Sequence, residues 1–422
     1  MFTSHIPAST SAAILSLLLL LATTPVATFK SGQTPLLQHH NNGSISSEGR
    51  FWNVSSNGIY VPDLTLCPRL PPRKAPPKDV HDLRPDDFSV VMAVGDSMTA
   101  ACFAEGYRLM IPDSFAEWRG RSYAAGMDDG AITVPNLMRH YKSTLRGGSI
   151  GKNAVPEVCM GGPMCNPLGW NYKVDRFNAA RSGAMAQNLL SEVRDYLVPT
   201  LRHHDVTDEE YKYMSFQVGS NDLCQLCLAS QAPKGPFPGS ADVFEQDVMQ
   251  AIEYLREHVP NVVVNMMGVF QVSQIYNVTR NHNEYCSNGV PYIPHYLIEC
   301  SCAVADGPLG AWARSEMDRL QAQYNERLLK IVKRYQKLND PHFAILWQPA
   351  NIPLAKFPIE GLSNVDCFHP STATHERIAA GVWNRLTLDA AGRDVEFGWE
   401  QYPNVRCLEE GDRLQTMAVW SE

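Results

Sequence analysis

Short apolar runs that end at a glycine or a polar turn recur along this 422-residue chain, and they constrain its fold more than any other feature. These runs are residues 88–94, 174–180, 213–218, 261–267 and 343–347. Short runs made up mainly of apolar residues are typical of parallel strands that are buried on both faces. We therefore predict a strand at each of the five positions.

Helical patterns lie between the apolar runs. In two long segments the apolar side chains recur every three or four residues, which places them on one side of a helix. In the first segment, Ala241–His258, they are Val243, Phe244, Val248, Ile252 and Leu255, and in the second they are Met317, Leu320, Tyr324, Leu328, Ile331 and Tyr335. Strands that alternate with helices predict an α/β fold in which helices cover both faces of a parallel sheet.

The composition narrows the class of protein. Hydrophobic residues make up 44% of the chain and charged residues 19%, a balance that is typical of globular domains rather than disordered chains. The formal net charge is −8. A protein that binds nucleic acid usually presents a basic surface, so this charge argues against a nucleic-acid partner.

The N-terminal residues resemble a targeting signal. Residues 12–22 are apolar or small and include five consecutive leucines, and no Asp, Glu, Lys or Arg precedes Lys30. A membrane-spanning helix needs roughly 20 apolar residues, and this stretch is shorter. We predict a secretory signal peptide over residues 1–27, with an uncleaved anchor as the alternative. The predicted location is secreted, extracellular, or the lumen of the secretory–lysosomal route.

The rest of the chain divides into three parts. Residues 28–85 form a lead-in that contains a proline-rich stretch at 67–77, which cannot be helical and should be extended on the surface, where Cys67 could pin it. Residues 86–395 hold the strand and helix patterns and form the predicted catalytic domain. Residues 396–422 form a C-terminal tail.

Cysteines and glycosylation signals fit a secretory route. The chain has 11 cysteines, so at least one is free or pairs between chains. Asn42, Asn53 and Asn277 each lie in an Asn-x-Ser/Thr acceptor triplet.

An oxidising compartment favours disulfides over a zinc site built from Cys224-x-x-Cys227 and Cys300-x-Cys302. The sequence does not determine the pairing, and a Cys224–Cys227 disulfide is our working prediction.

Three strand ends carry residues that could take part in chemistry. The first strand runs into Gly95-Asp96-Ser97, the third into Gly219-Ser220-Asn221-Asp222, and the second into 178–183, which ends in Gly183. In open α/β sheets the ligand crevice lies beyond the carboxyl ends of the strands. A serine there can be a nucleophile, and a glycine N–H and an Asn amide can donate to an oxyanion. Each segment taken alone is also explained as a helix cap or a turn.

The fourth candidate is Asp366-Cys367-Phe368-His369, near the end of the predicted domain. A histidine acts as a general base only when its ring is held in one tautomer, and a carboxylate three residues earlier can accept the other ring N–H. The alternative is a surface turn before a helix that ends near Arg385. The four segments together supply a nucleophile, oxyanion donors and an oriented base, which are the requirements for acyl transfer.

These segments, in this order, resemble the conserved blocks of the GDSL/SGNH hydrolase superfamily. More narrowly, the chain resembles phospholipase B-like lipases in residues 94–100, 219–227, 300–302 and 366–384. The resemblance covers residues from about 85 to about 395. Two positions differ from the usual pattern. Met98 stands where the family often has Leu, and Ser220 stands where phospholipase B relatives often have Gly.

The resemblance implies a three-layer α/β/α sandwich with a central, mainly parallel, five-stranded sheet. It implies Ser97 as nucleophile, with His369 and Asp366 completing a catalytic triad, and an oxyanion hole formed by Ser97, Gly183 and Asn221. It implies that the chemistry needs no metal or cofactor. The implied substrates are phospholipids or lysophospholipids, met at a membrane or micelle surface. It does not indicate an oligomeric state.

Two other functions use the same residues or the same fold. The triad could transfer the acyl group to another alcohol, or cleave a carbohydrate ester or another lipid ester. A secreted lipid-binding protein could retain the fold without activity, but such a protein has no need of an oriented Ser–His pair.

Overall fold

The structure is a computed structural model that describes residues 53–55, 58–107, 111–154, 169–228, 239–287, 299–396, 398–399 and 404–420. The predicted signal peptide, the acceptor Asn42 and the side chain of Asn53 lie outside the described residues. Asn277 lies within them and is exposed, so its glycosylation remains a prediction.

A four-stranded parallel sheet forms the centre of the described part. In chain order the strands are β1 (Asn53–Ser55), β2 (Gly58–Val61), β3 (Val90–Gly95), β4 (Ala116–Glu117), β5 (Asn153–Ala154), β6 (Lys212–Gln217), β7 (Val262–Met267), β8 (Phe343–Gln348) and β9 (Val405–Arg406). The central sheet has the order β3-β6-β7-β8, and every pair is parallel. All residues of these four strands are buried, as the apolar runs predict. Four of the five predicted strands are therefore confirmed.

The fifth predicted strand, residues 174–180, is not one. Its first two residues belong to the short helix Tyr172–Asp175, and Arg176 follows with a positive φ of 53°. The chain then runs beside β3, where Ala93 donates to the Phe177 carbonyl over 3.0 Å and accepts from Ala179 N over 2.8 Å. This short contact forms only an isolated bridge, because the helical turn before it leaves too few extended residues for a full ladder.

Helices flank the sheet. In chain order the α-helices are α1 (Ser97–Ala100), α2 (Ile111–Ser114), α3 (Val134–Tyr141), α4 (Tyr172–Asp175), α5 (Leu189–Ser191), α6 (Val198–His203), α7 (Ser220–Cys224), α8 (Ala241–His258), α9 (Ile275–Thr279), α10 (Asn283–Ser287), α11 (Gly307–Leu338), α12 (Thr372–Arg385) and α13 (Ala390–Arg393). A π-helical segment, Glu192–Leu197, joins α5 to α6. Short 3₁₀ turns are Leu64–Leu66, Pro85–Asp87, Arg119–Arg121, Ala186–Asn188, Gln225–Leu228, Val272–Gln274, Leu354–Lys356 and Ile359–Gly361.

The two long predicted helices are confirmed, and they pack together. Helix α8 begins after Ser240, whose hydroxyl accepts from Val243 N, and it buries Phe244 against Tyr324 of α11 with ring centroids 4.1 Å apart. Helix α8 also packs against α5, while α12 packs against α3. Sheet and flanking helices together form the predicted α/β/α sandwich. Within the described residues, no helix combines the length and apolar character needed to cross a bilayer.

The lead-in and the tail are joined to each other. Strand β2 pairs antiparallel with β1 and with β9, which lies in the tail. A disulfide links Cys67 to Cys407, so Cys67 does pin the lead-in. Trp383 of α12 donates its indole N–H to the Arg406 carbonyl, which attaches the tail to the sandwich.

The predicted Cys224–Cys227 disulfide is wrong. Cys224 bonds to Cys300 and Cys227 bonds to Cys302. The two cysteines are three residues apart on consecutive helical turns, so both thiols point from one side toward the neighbouring segment rather than toward each other. A further disulfide joins Cys286 to Cys367, and Cys102 is a buried free thiol. Disulfides in such numbers are typical of an oxidising compartment.

Candidate active site

Ser97 lies at the turn from β3 into α1. Gly95 has a φ of +146°, and a Cβ at this position would lie 2.1 Å from the Gln217 carbonyl oxygen, so only glycine allows β3 to approach β6 here. Asp96 caps α1 by accepting from Met98 N over 2.9 Å. The capping interpretation of this turn is therefore correct for Asp96, and it leaves the Ser97 hydroxyl available for another partner.

Asp366 and His369 lie on a tight loop before α12. One carboxylate oxygen of Asp366 accepts from the backbone N–H groups of Phe368 and His369, over 3.1 and 3.2 Å. Cys367, between them, has a positive φ of 51° and is bonded to Cys286. These contacts hold the loop in one conformation, and both side chains point inward.

The structure brings Ser97, His369 and Asp366 into one hydrogen-bonded chain. The Nε2 of His369 lies 2.6 Å from the Oγ of Ser97, and its Nδ1 is hydrogen-bonded to Oδ2 of Asp366. All three residues are buried, with Ser97 6% exposed. The ring of Phe103 packs edge-on against His369 and fixes its plane. This arrangement can carry a proton from the serine to a ring whose other nitrogen is held by a carboxylate.

The charge around His369 favours its protonated form. Burial alone would lower the pKa of His369, but the Asp366 carboxylate, through its charge and its hydrogen bond, raises the pKa above the ordinary value of 6.5. The ring is therefore a stronger base than a free histidine.

The two other predicted oxyanion residues lie on adjoining segments. Asn221 lies in the first turn of α7, and its side-chain amide donates to the Ala184 carbonyl over 2.9 Å. Ala184 follows Gly183, which has a φ of +78°. An Asn amide has two N–H donors, so one remains for another acceptor.

A buried ion pair that the sequence did not reveal supports the Gly183 segment. The guanidinium of Arg119 donates to Glu117 over 2.8 Å and also to the carbonyls of Asn178 and Ala180, over 3.1 and 2.6 Å. The other oxygen of Glu117 accepts from the Ser182 hydroxyl over 2.6 Å. Glu117 and Arg119 are only two residues apart, but their contacts with Asn178, Ala180 and Ser182 span 59 to 65 residues, so no local pattern could have indicated those contacts.

Besides Asp366, three acidic side chains are buried near the carboxyl ends of the strands: Asp96, Glu192 and Asp222. Glu192 accepts from Gly95 N over 2.9 Å, and Asp222 accepts from Ala186 N over 3.2 Å. Burial raises the pKa of both Asp96 and Asp222 to about 7, and it raises that of Glu192 well above its usual range. Glu192 was not predicted, because its neighbours in sequence give no sign that it reaches the Ser97 turn.

Glu299 is a further residue that the sequence did not indicate. One of its carboxylate oxygens, one of Asp366 and a ring nitrogen of His369 all lie within 4.8 Å of one another. Carboxylate and imidazole groups are also common metal ligands. Both ring nitrogens of His369 already have hydrogen-bond partners, however, so this geometry favours proton transfer over metal binding.

Comparison with known proteins gives one family and several relatives. The model of the GDSL-like Lipase/Acylhydrolase family matches residues 91–382. The membrane-associated phospholipase B1 of Mus musculus is 26% identical over 353 residues, and that of Homo sapiens is 25% identical over 359 residues. Each alignment covers 81% of this chain and 22% of the relative, so the chain spans about a fifth of the length of these relatives.

Among solved structures, a variant of an acetyl xylan esterase from Geobacillus stearothermophilus is similar to this chain. It is 14% identical, with a TM-score of 0.31, over 73% of this chain and 96% of the esterase. A structural similarity with so low a TM-score does not bear on the family or the function of this chain.

Proposed function

Because the chain belongs to the GDSL-like lipase/acylhydrolase family, we propose that it is a carboxylic ester hydrolase in which Ser97, His369 and Asp366 are the catalytic triad. The observation that carries this proposal is the 2.6 Å contact between the Oγ of Ser97 and the Nε2 of His369, continued to Asp366 on the other side of the ring. A buried serine that contacts an oriented histidine is the arrangement required of an activated nucleophile.

The proposed reaction has two steps. As Ser97 Oγ attacks the ester carbonyl carbon, its proton moves to Nε2 of His369, and Asp366 retains the Nδ1 hydrogen bond and stabilises the imidazolium. The tetrahedral intermediate collapses, the alcohol leaves with the proton from His369, and an acyl-enzyme remains. Water then gives a proton to His369 as its oxygen attacks the acyl carbon and forms a second tetrahedral intermediate. When this intermediate collapses, the acid is released, and His369 returns the proton to the oxygen of Ser97.

The negative oxygen of the intermediate needs hydrogen-bond donors. We assign this role to the N–H of Ser97, the N–H of Gly183 and the second amide N–H of Asn221. The bond from Asn221 to Ala184 supports the assignment, since it holds the Asn221 amide beside the Gly183 segment.

We infer that the substrates are phospholipids or lysophospholipids. The support is the similarity to two enzymes named phospholipase B1, at 26% and 25% identity. Contact with a membrane or micelle surface would be transient during turnover. The disulfides and the N-terminal pattern support a location outside the cell or in the lumen of the secretory–lysosomal route.

The test is the release of free fatty acid from phosphatidylcholine and lysophosphatidylcholine in the presence of a chelator. Wild type should release fatty acid, and Ser97→Ala should lose it by several orders of magnitude, roughly 10⁶-fold by analogy with other serine hydrolases. Ser191→Ala removes a helix hydroxyl that donates to the Asn188 carbonyl three residues earlier, and it should match wild type. An added alcohol distinguishes transfer from hydrolysis. Absence of release from both lipids, with a short-chain ester still cleaved, would overturn the phospholipid assignment but not the triad.

A further inference from the structure

Glu299 places a second carboxylate beside the Asp366–His369 pair. Its carboxylate lies within 4.8 Å of both groups, and most of the side chain is shielded from water. Strand and helix patterns do not explain an acid at this position, since Glu299 is in neither and immediately precedes Cys300.

Two disulfides tether the backbone that directly follows Glu299. Cys300 is bonded to Cys224, the last residue of helix α7, which also carries Asn221. Cys302 is bonded to Cys227, and the backbone N–H of Cys302 points at the Sγ of Cys227 over 3.1 Å. The backbone beside Glu299 is thus tied covalently to the helix that presents a proposed oxyanion donor. Because this backbone is already ordered by the disulfides, little further conformational entropy is lost when the Glu299 carboxylate interacts with His369.

Among the described residues that interact electrostatically with Glu299, His369 is the favourable partner. Burial raises the pKa of Glu299, the His369 charge opposes that rise, and the Asp366 carboxylate adds to it. Glu299 also acts unfavourably on the ionised forms of Asp96 and Cys102. Among these groups the imidazolium of His369 is the single positive charge. An ionised Glu299 therefore favours the protonated ring and disfavours each of the other ionised groups.

We propose that Glu299 is a positioning residue that acts through His369: together with Asp366 it stabilises the imidazolium that forms when Ser97 gives up its proton. The proposal rests on the triad function proposed above. Because the imidazolium is present in the transition state and absent from the resting base, a fixed negative charge near it lowers the barrier to both steps.

The proposal predicts a change in pH dependence when the charge is removed. An opposite charge within about 4–6 Å raises the pKa of a cationic group by roughly 1–3 units. Glu299→Gln should therefore move the acid limb of the kcat/KM profile to lower pH by about one unit. It should also lower kcat on the plateau about tenfold, while KM changes little. A residue with a purely structural role would lower activity without moving the limb.

The experiment measures kcat and KM against pH with a soluble short-chain nitrophenyl ester, in a chelator so that no cation contributes. Glu299→Asp keeps the charge and should place the limb between wild type and Glu299→Gln. Asp247→Asn is the matched control, because Asp247 is a half-buried carboxyl on α8 whose pKa is raised by burial alone. Its profile should overlay that of wild type.

The outcomes separate this inference from the proposed function. An unmoved acid limb in folded Glu299→Gln, with Ser97→Ala inactive, overturns the role of Glu299 and leaves the triad intact. Activity that persists in Ser97→Ala overturns the triad itself. If Glu299→Gln does not fold, Glu299→Asp decides alone, and a limb identical to wild type at full kcat counts against the proposal.

Discussion

Ser182 donates its hydroxyl hydrogen to Glu117 over 2.6 Å, although 65 residues separate them in the chain. Glu117 is in turn paired with the buried Arg119, which donates to the carbonyls of Asn178 and Ala180. The segment that leads to Gly183 is therefore held from both sides by one buried ion pair. The position of this part of the proposed oxyanion hole therefore depends on residues that are distant in sequence.

Ser182→Ala should reduce turnover without unfolding the protein. Removing the hydroxyl loosens the residue next to Gly183 while the Glu117–Arg119 pair stays intact. Small displacements of an oxyanion donor are costly, and we expect kcat to fall about tenfold with little change in KM. The control is Ser215→Ala on strand β6, which removes a buried hydrogen bond from the Ser215 hydroxyl to the Ala124 carbonyl. Equal effects of the two changes on kcat would argue against a specific role for Ser182.

Loss of either of two disulfides should lower stability, but loss of only one of them should lower activity. Cys286–Cys367 braces the loop between Asp366 and His369, whereas Cys67–Cys407 joins the lead-in to the tail. Replacing both cysteines of either pair with Ala should lower stability by about 2–5 kcal/mol. Only loss of the Cys286–Cys367 bond should also lower kcat in the protein that remains folded. Thermal melting and kinetics at a temperature below both melting points make the comparison, and a matching loss of kcat in both variants would contradict it.

The acid limb of the pH profile should lie above the ordinary histidine range. His369 must be neutral to accept the Ser97 proton, and its pKa is raised by Asp366, so kcat/KM should rise through a midpoint higher than 6.5. Below that midpoint the ring is protonated and the base is lost. His375, also buried, has its pKa lowered to about 3 by burial and then by His369, so it stays neutral and cannot produce this limb. A midpoint at or below 6.5 would contradict the assignment.

Gly95→Ala should prevent the Ser97 turn from forming. Its Cβ would lie 2.1 Å from a backbone oxygen of Gln217, and we expect a loss of stability of about 3 kcal/mol or more together with loss of activity. Gly130→Ala is the control, because Gly130 has a φ of +75° with nothing within 4 Å of an added Cβ. That change carries only the backbone strain, about 1–2 kcal/mol. Denaturant unfolding measures the loss of stability in both variants. Similar losses would show that the surrounding structure shifts to avoid the collision at Gly95.

The sequence predicted the parts of the fold that depend on local pattern. Helix α8 begins and ends where its apolar spacing predicts, and four buried strands follow their apolar runs. The prediction was wrong at residues 174–180, where a helical turn ending at Arg176 replaces the start of a strand. Hydrophobicity alone does not distinguish a short strand from a short helix.

The candidate site was predictable only where its residues lie in short motifs. Ser97, Asn221 and the Asp366–His369 pair each follow a recognisable strand end or turn. Glu117, Glu192 and Glu299 act across the fold: the Glu192 bond to Gly95 spans 97 residues, and Glu299 is placed by its neighbours' disulfides. Such contacts depend on tertiary packing, as does the choice of Cys300 rather than Cys227 as the partner of Cys224.

The central claim is that Ser97 is the nucleophile. Its most direct test is to mix the protein with an activated nitrophenyl ester, quench early at mildly acidic pH, and map the acylated residue by peptide mass spectrometry. If Ser97 is the nucleophile, one acyl group should be found, on the peptide that contains Ser97. Ser97→Ala should not be acylated, and a folded His369→Ala variant should be acylated slowly. An acyl group on another residue, or turnover of the ester by Ser97→Ala at the wild-type rate, would contradict it.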